Sequence, residues 1–174
     1  TIRRPRPDDY QIKQAVEIIK KSKNPIIISG GGVFYSDAMK ELSEFAKKHN
    51  IPTAQTVMGY STMKRDDPYF LGAIGGFGGK ATNNFMKKTD LAIAVGTKLA
   101  DFTTGSWANF ENPNFKLVSI NVSRFDANKH MAESVVGDAK VSLLDISNAL
   151  GNWKAPDDWY KKSREALNLS LIHI

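Results

Sequence analysis

The chain has 174 residues, 41% of them apolar and 24% charged, with no cysteine and only three scattered histidines, His49, His130 and His173. This is the composition of one globular domain with a self-sufficient core. It excludes a disulfide scaffold, a cysteine nucleophile and any cysteine-based zinc site, and leaves little for a metal cluster. The net charge of +6 comes from 24 basic and 18 acidic residues dispersed along the chain, without the basic–aromatic interleaving that reads single-stranded nucleic acid.

Residues 1–7 are rich in Arg and Pro and read as a linker. Asp8 and Asp9 then offer an N-cap, and Ile12, Ala15, Val16, Ile18 and Ile19 form a helical stripe ending in Lys20-Lys21. Pro25–Ser29 is a β-branched run expected as a fully buried strand, and Gly30, Gly31 and Gly32 follow at once. Ser36-Asp37 is expected to cap a second helix with a stripe at Ala38, Leu42, Phe45 and Ala46. Strands are expected at 51–55 and 69–71. Gly75–Gly79 leads into a helix around 80–88, and Leu91–Val95 is the next buried strand. A long loop reaches Asn114, followed by strands at 116–121 and 133–136 and an amphipathic helix at 140–150. Residues 156–174 are assigned to an inter-domain linker or remnant, since Asn168–Ile174 ends in an apolar Leu-Ile-His-Ile. The domain is thus placed at 8–155.

Short continuous apolar strands separated by helices imply a parallel sheet covered on both faces, because parallel strands need crossover connections. The expected fold is α/β: a Rossmann-like, doubly wound parallel sheet of five or six strands. No apolar run approaches the ~20 residues of a bilayer span. The N-terminus has no signal-peptide core and no initiating Met, so the chain is read as a segment of a longer protein. The absence of cysteine and of a signal points to the cytoplasm.

Ligands of such sheets sit at the carboxyl ends of the strands. Gly30-Gly31-Gly32 begins a dinucleotide fingerprint but has Tyr35 in place of its third glycine. Gly76-Phe-Gly78-Gly-Lys-Ala81 fits G-x-G-x-x-A behind a poor strand. Two roles are open for these glycines, sharp backbone turns or a cradle for phosphate. Gly96-Thr97-Lys98 and Ser123-Arg124 each put a hydroxyl and a cation at the same edge, suited to an anion or merely solvated. Asp138 would bond a ribose hydroxyl or cap the helix after it. No G-x-S-x-G elbow exists, and the pairs Asp66-Asp67 and Asp157-Asp158 suit loops or helix caps better than acid–base work. Phe77, Phe102, Trp107 and Phe110 fall in loops at the ligand edge. They either form an apolar surface for neighbouring domains or pack on their own sheet.

The runs Lys23-Asn-Pro-Ile-Ile-Ile-Ser-Gly-Gly-Gly32, Ile51-Pro-Thr53, Asp90-Leu-Ala-Ile-Ala-Val-Gly-Thr-Lys98 and Gly137-Asp138 resemble the central domain of thiamine-diphosphate-dependent enzymes over residues 8–150. Asp101-Phe-Thr-Thr-Gly-Ser106, Phe110-Glu-Asn-Pro-Asn114 and Ile120-Asn-Val-Ser-Arg-Phe-Asp-Ala127 are most similar to one branch, the 3D-(3,5/4)-trihydroxycyclohexane-1,2-dione hydrolases of myo-inositol catabolism. Asn121 and Lys98 stand where the superfamily more often has an acidic residue and Arg. The resemblance implies a homo-oligomeric enzyme of three α/β domains. The domain before this one supplies the activating glutamate, and the domain after it holds Mg²⁺ and thiamine diphosphate. This chain would then be a scaffold with no catalytic or metal-binding residue. Its glycine loops, Lys98, Ser123, Arg124 and Asp138 would form a working or vestigial nucleotide edge for FAD, ADP or coenzyme A. The competing reading is a nucleotide-binding regulatory module of another thiamine-diphosphate enzyme. A free-standing NAD-dependent enzyme is disfavoured by the failed fingerprint at Tyr35.

Overall fold

The computed structural model describes residues 2–171; Thr1 and residues 172–174 of the apolar C-terminal end lie outside the described residues. Its centre is a six-stranded parallel sheet in the order β3-β2-β1-β4-β5-β6. The strands are β1 (Pro25–Ser29), β2 (Thr53–Gln55), β3 (Phe70–Ala73), β4 (Leu91–Val95), β5 (Lys116–Asn121) and β6 (Glu133–Val136). Every residue of β1 and β4 is buried, as expected for strands covered on both faces. β1 pairs with β4 in register from Pro25↔Leu91 to Ser29↔Val95.

Alternate side chains feed two cores. Ile27, Ile93, Val118 and Val135 face α1 (Asp9–Lys21), α3 (Met39–His49) and α7 (Ala139–Leu150), whose Ile19, Leu42, Phe45 and Ile146 complete one cluster. Ile26, Ile28, Ala92 and Ala94 face the other side. There Phe85 and Met86 of α4 (Lys80–Met86) and Trp159 of α8 (Asp157–Leu171) close a second cluster. Three helices of one turn or little more sit on the carboxyl-side connections: α2 (Gly31–Tyr35), α5 (Asp101–Thr104) and α6 (Arg124–Ala127). No helix of the described residues is long and apolar enough to cross a membrane.

The α/β fold and all six strands agree with the sequence reading; several boundaries do not. The domain does not stop at residue 155. Trp159 is 3% exposed and stacks on Phe85 with ring centres 4.1 Å apart, and its indole N–H donates to the Pro25 carbonyl at 2.7 Å. Arg164 donates to the Pro68 and Phe70 carbonyls at 2.9 and 3.0 Å, so α8 also covers the outer edge of β3. Nor do Ser36 and Asp37 cap α3. The Ser36 hydroxyl donates to Asp138 at 2.7 Å, Asp37 adopts a left-handed backbone (φ 51°), and Ala38 is the N-cap. Residues 2–7, expected as part of a linker, lack regular structure yet are pinned to the domain. Arg4 donates to the Ser36 carbonyl at 2.7 Å and to Asp138 at 2.8 Å, and the Pro5 carbonyl accepts from the Asp138 amide at 2.8 Å.

Candidate functional site

The strand order reverses between β1 and β4: the chain proceeds through β2 and β3 on one side and through β5 and β6 on the other. Connections leaving the carboxyl ends of β1 and β4 therefore diverge, and a crevice opens between them. It measures about 340 Å³, within the roughly 300–1,000 Å³ range of small-molecule sites. Gly31 and Gly32 line it from the β1 side, Gly96, Thr97 and Lys98 from the β4 side, and Asn121 at the end of β5. The structure thus brings the predicted loops after β1 and β4 together.

Why both loops carry glycine is visible in their separation. A Cβ on Gly32 would lie 2.6 Å from the Gly96 Cα, and one on Gly30 would lie 2.5 Å from the Thr97 Cβ. Gly96 itself has a left-handed φ of 62°. The Gly30 amide donates to the Val95 carbonyl and the Gly32 amide to the Gly96 carbonyl, both at 2.9 Å. Two of the three loop amides are thereby engaged by protein. The geometry displays close approach of two backbones, a role beside the sharp turn and the phosphate cradle expected of this loop.

The other predicted residues are placed differently. Ser123 caps α6, its hydroxyl accepting from the Asp126 amide at 3.3 Å. Arg124 is exposed on that helix, and neither residue lines the crevice. Asp138 is 2% exposed and its carboxylate accepts from Arg4, Ser36 and the amides of Lys140 and Val141, so the cap is the role it fills and it stands apart from the crevice. The Gly76–Ala81 loop also stands apart. A Cβ on Gly76 would meet the Phe102 ring at 2.6 Å, and Asn83 ties off the Gly75 amide and carbonyl at 3.0 and 3.1 Å. Trp107 and Phe110 turn inward, with ring centres 5.0 Å apart, against the second core. Phe77 and Phe102, also paired at 5.0 Å, stay exposed.

Sequence reasoning missed Asp126, Tyr35, Met58, Thr56 and Thr103, all of which line the crevice. Only Asp126 had a local signal, the Ser-x-x-acid spacing of a capping box at Ser123. The Lys129 ammonium, donating at 2.9 Å, holds the Asp126 carboxyl below its ordinary value against the opposing effect of burial, with help from Ser123. At the crevice lip Lys98 is exposed, so the cavity presents one carboxylate and one cation among threonine hydroxyls and backbone. The Asn121 side-chain amide donates to the Thr97 carbonyl at 3.2 Å, fixing the β4 loop to the end of β5. No group of three or more His, Cys, Asp or Glu side chains among the described residues is arranged to hold a metal ion.

The family model described as thiamine pyrophosphate enzyme, central domain, matches residues 12–146. Among the similar curated proteins, 3D-(3,5/4)-trihydroxycyclohexane-1,2-dione hydrolase 2 of Bacillus cereus is 44% identical over 149 residues, which is 86% of this chain and 23% of the relative. The hydrolase of the same name from Clostridium botulinum is 44% identical over 159 residues, covering 88% and 25%. That from Clostridium tetani is 42% identical over 167 residues, covering 96% and 26%. The chain therefore spans about a quarter of the length of the curated relatives it matches. A parallel sheet with its switch point between β1 and β4, glycine loops closing on one another there, and a family match across nearly all of that sheet lead to one assignment: the chain belongs to the central-domain family of thiamine pyrophosphate enzymes.

Proposed function

We propose that this chain is the middle domain of a thiamine-diphosphate-dependent hydrolase that opens a trihydroxycyclohexane-1,2-dione ring at a C–C bond in myo-inositol catabolism, and that it acts there as a scaffold. The observation that carries this reading is the alignment of 86–96% of the chain with hydrolases of that name over only 23–26% of their length. Thiamine diphosphate, an electron sink for carbanion chemistry, belongs in this reading to the flanking domains together with Mg²⁺. The described residues of this chain do not fit either group, since the one carboxylate among them that lines the crevice is already paired with Lys129 and no ligand cluster of theirs stands beside it. The parent is a cytoplasmic homo-oligomer in this reading, with no nucleic-acid or membrane partner.

The test is ring opening with thiamine diphosphate and Mg²⁺ by the full-length gene product and by the 174-residue chain. Thiamine-dependent turnover is expected from the full-length protein alone. Turnover by this chain would overturn the scaffold role, and none from the full-length protein would overturn the hydrolase reading.

A second reading rests on the crevice itself. Gly31, Gly32, Gly96, Thr97 and Lys98 frame a space at the switch point, with Gly30 packed against Thr97 beside it and a cation at its lip, suited to a nucleotide such as FAD, ADP or coenzyme A. It predicts a rise in thermal stability with one of these ligands, by mass action. No shift with any of them at millimolar concentration favours the pure scaffold.

A further inference from the structure

Most of the large apolar side chains left exposed sit on connections at one edge of the sheet. Tyr35, Met58, Tyr60, Phe77, Phe102 and Phe125 all follow the carboxyl ends of strands, and each is more than half exposed. Tyr35 and Met58 flank Gly31, each with a side-chain atom 3.6 Å from the position of a Cβ there, and Phe77 packs edge-on against Phe102. Aromatic and thioether side chains therefore gather on the edge that holds the crevice, Tyr35 and Met58 lining it and the others beside it, whereas scattered single apolar residues are what an ordinary surface shows. Two exposed cations, Lys98 and Arg124, stand on the same edge, and neither makes an ion pair among the described residues.

We infer that this rim is a docking surface for the flanking part of the parent polypeptide, whose covering face is apolar and carries acidic groups opposite Lys98 and Arg124. The inference rests on the middle-domain reading above. Two observations select this occupant over a second copy of the chain. The curated relatives are about four times longer than the stretch they share with it. The strap that leads toward residue 1 is also bound at the same edge: Arg4 and Pro5 bond to Ser36 and Asp138, and Pro7 packs against Gly137 at the end of β6. A neighbour joined through that strap arrives beside the rim. Docking there would also roof the crevice.

Two methionines make the test internal. Met58 is on the rim at 72% exposure, while Met131 is fully exposed on the connection that returns to the start of β6. Peroxide oxidation of methionine follows exposure, so the rates at the two sites report coverage of the rim alone. Oxidation is followed by peptide mass spectrometry in the 174-residue chain and in the full-length gene product, with hydroxyl-radical footprinting of Phe77 alongside. In the full-length protein Met58 is expected to slow by about tenfold relative to Met131, and Phe77 to be protected with it. Equal Met58 rates in the two proteins overturn the docking surface. Protection of Met58 without Phe77, which lines no part of the crevice, would mean a small molecule in the crevice and also overturns it. Protection already present in the 174-residue chain and lost on dilution assigns the rim to a second copy instead. Ring-opening activity is assayed on the same preparation. Protection without activity would remove the hydrolase and leave the surface standing.

Discussion

Gly32 has no space for a methyl group, because its neighbour across the switch point is backbone rather than a flexible side chain. A Cβ 2.6 Å from the Gly96 Cα forces the two crossover loops apart and breaks the bond from the Gly32 amide to Gly96. Gly32→Ala is expected to lower stability by about 2–3 kcal/mol, the upper range for overpacking, read as a lower urea midpoint at unchanged slope. His49 presents the opposite case, a polar side chain wholly buried and fully bonded. Its Nδ1 donates to the Trp153 carbonyl at 2.8 Å, and Nε2 accepts from the Ser147 hydroxyl at 2.9 Å. Burial lowers its pKa from the ordinary 6.5; the carbonyl bond opposes this, and Lys48 and Lys154 add to the lowering. The unfolded chain then binds the proton more readily than the folded one. The stabilising contribution of neutral His49 is complete above pH 6.5 and is lost as pH falls from there through the lowered folded value. Urea midpoints between pH 7.5 and about 5 should fall with pH, and His49→Gln should flatten that decline. An unchanged slope in the variant would assign the decline to other groups.

At the scale of elements, α8 turns from an expected linker into a core-forming helix. Its inward positions Trp159, Ser163, Ala166 and Leu167 follow the i, i+4, i+7, i+8 spacing of a buried helical stripe, and Asp157 and Asp158 occupy its acidic first turn. Trp159→Ala is expected to cost about 3–5 kcal/mol in chemical denaturation, since it empties a stacked site beside Phe85 and leaves the Pro25 carbonyl without its donor. A cost below about 1 kcal/mol would return the helix to the status of an appendage. The spacing that defines α8 is present in the sequence, but it runs into the apolar end Asn168–Ile174, which resembles a remnant. The strands were legible because burial on both faces makes each a short unbroken apolar run, as at Ile26–Ile28 and Leu91–Val95. The turn at Ser36-Asp37 was not, because Ser36 serves a carboxylate 102 positions away rather than the helix beside it. The candidate site was legible in the same partial way. Glycines directly after β1 and β4 mark the loops, but Tyr35, Met58 and Asp126 reach the crevice only through the strand order, which no local pattern encodes.

For the molecule as a whole, the four aromatic residues expected at the ligand edge divide into two kinds, and solution behaviour should separate them. Trp107 touches Phe110 and His130, with ring centres 5.0 and 4.3 Å away, and packs on the core that α4 and α8 close. Trp107→Ser should therefore act on stability, costing about 1–2 kcal/mol for a partly buried aromatic side chain. Phe102 is 55% exposed, its ring lying over Gly76 and against Phe77, itself 74% exposed. Phe102→Ser combined with Phe77→Ser should leave the melting temperature of the 174-residue chain within a degree or two while lowering its tendency to associate, because the apolar rim is the surface through which an uncovered domain sticks to itself. Light scattering across a concentration series, paired with thermal denaturation, reads both effects. If the double serine variant melts well below the parent, the rim is part of the fold. If scattering is unchanged while the melting temperature holds, the aromatic pair carries no association, and the covering of this edge must be sought at Tyr35, Met58 and Tyr60.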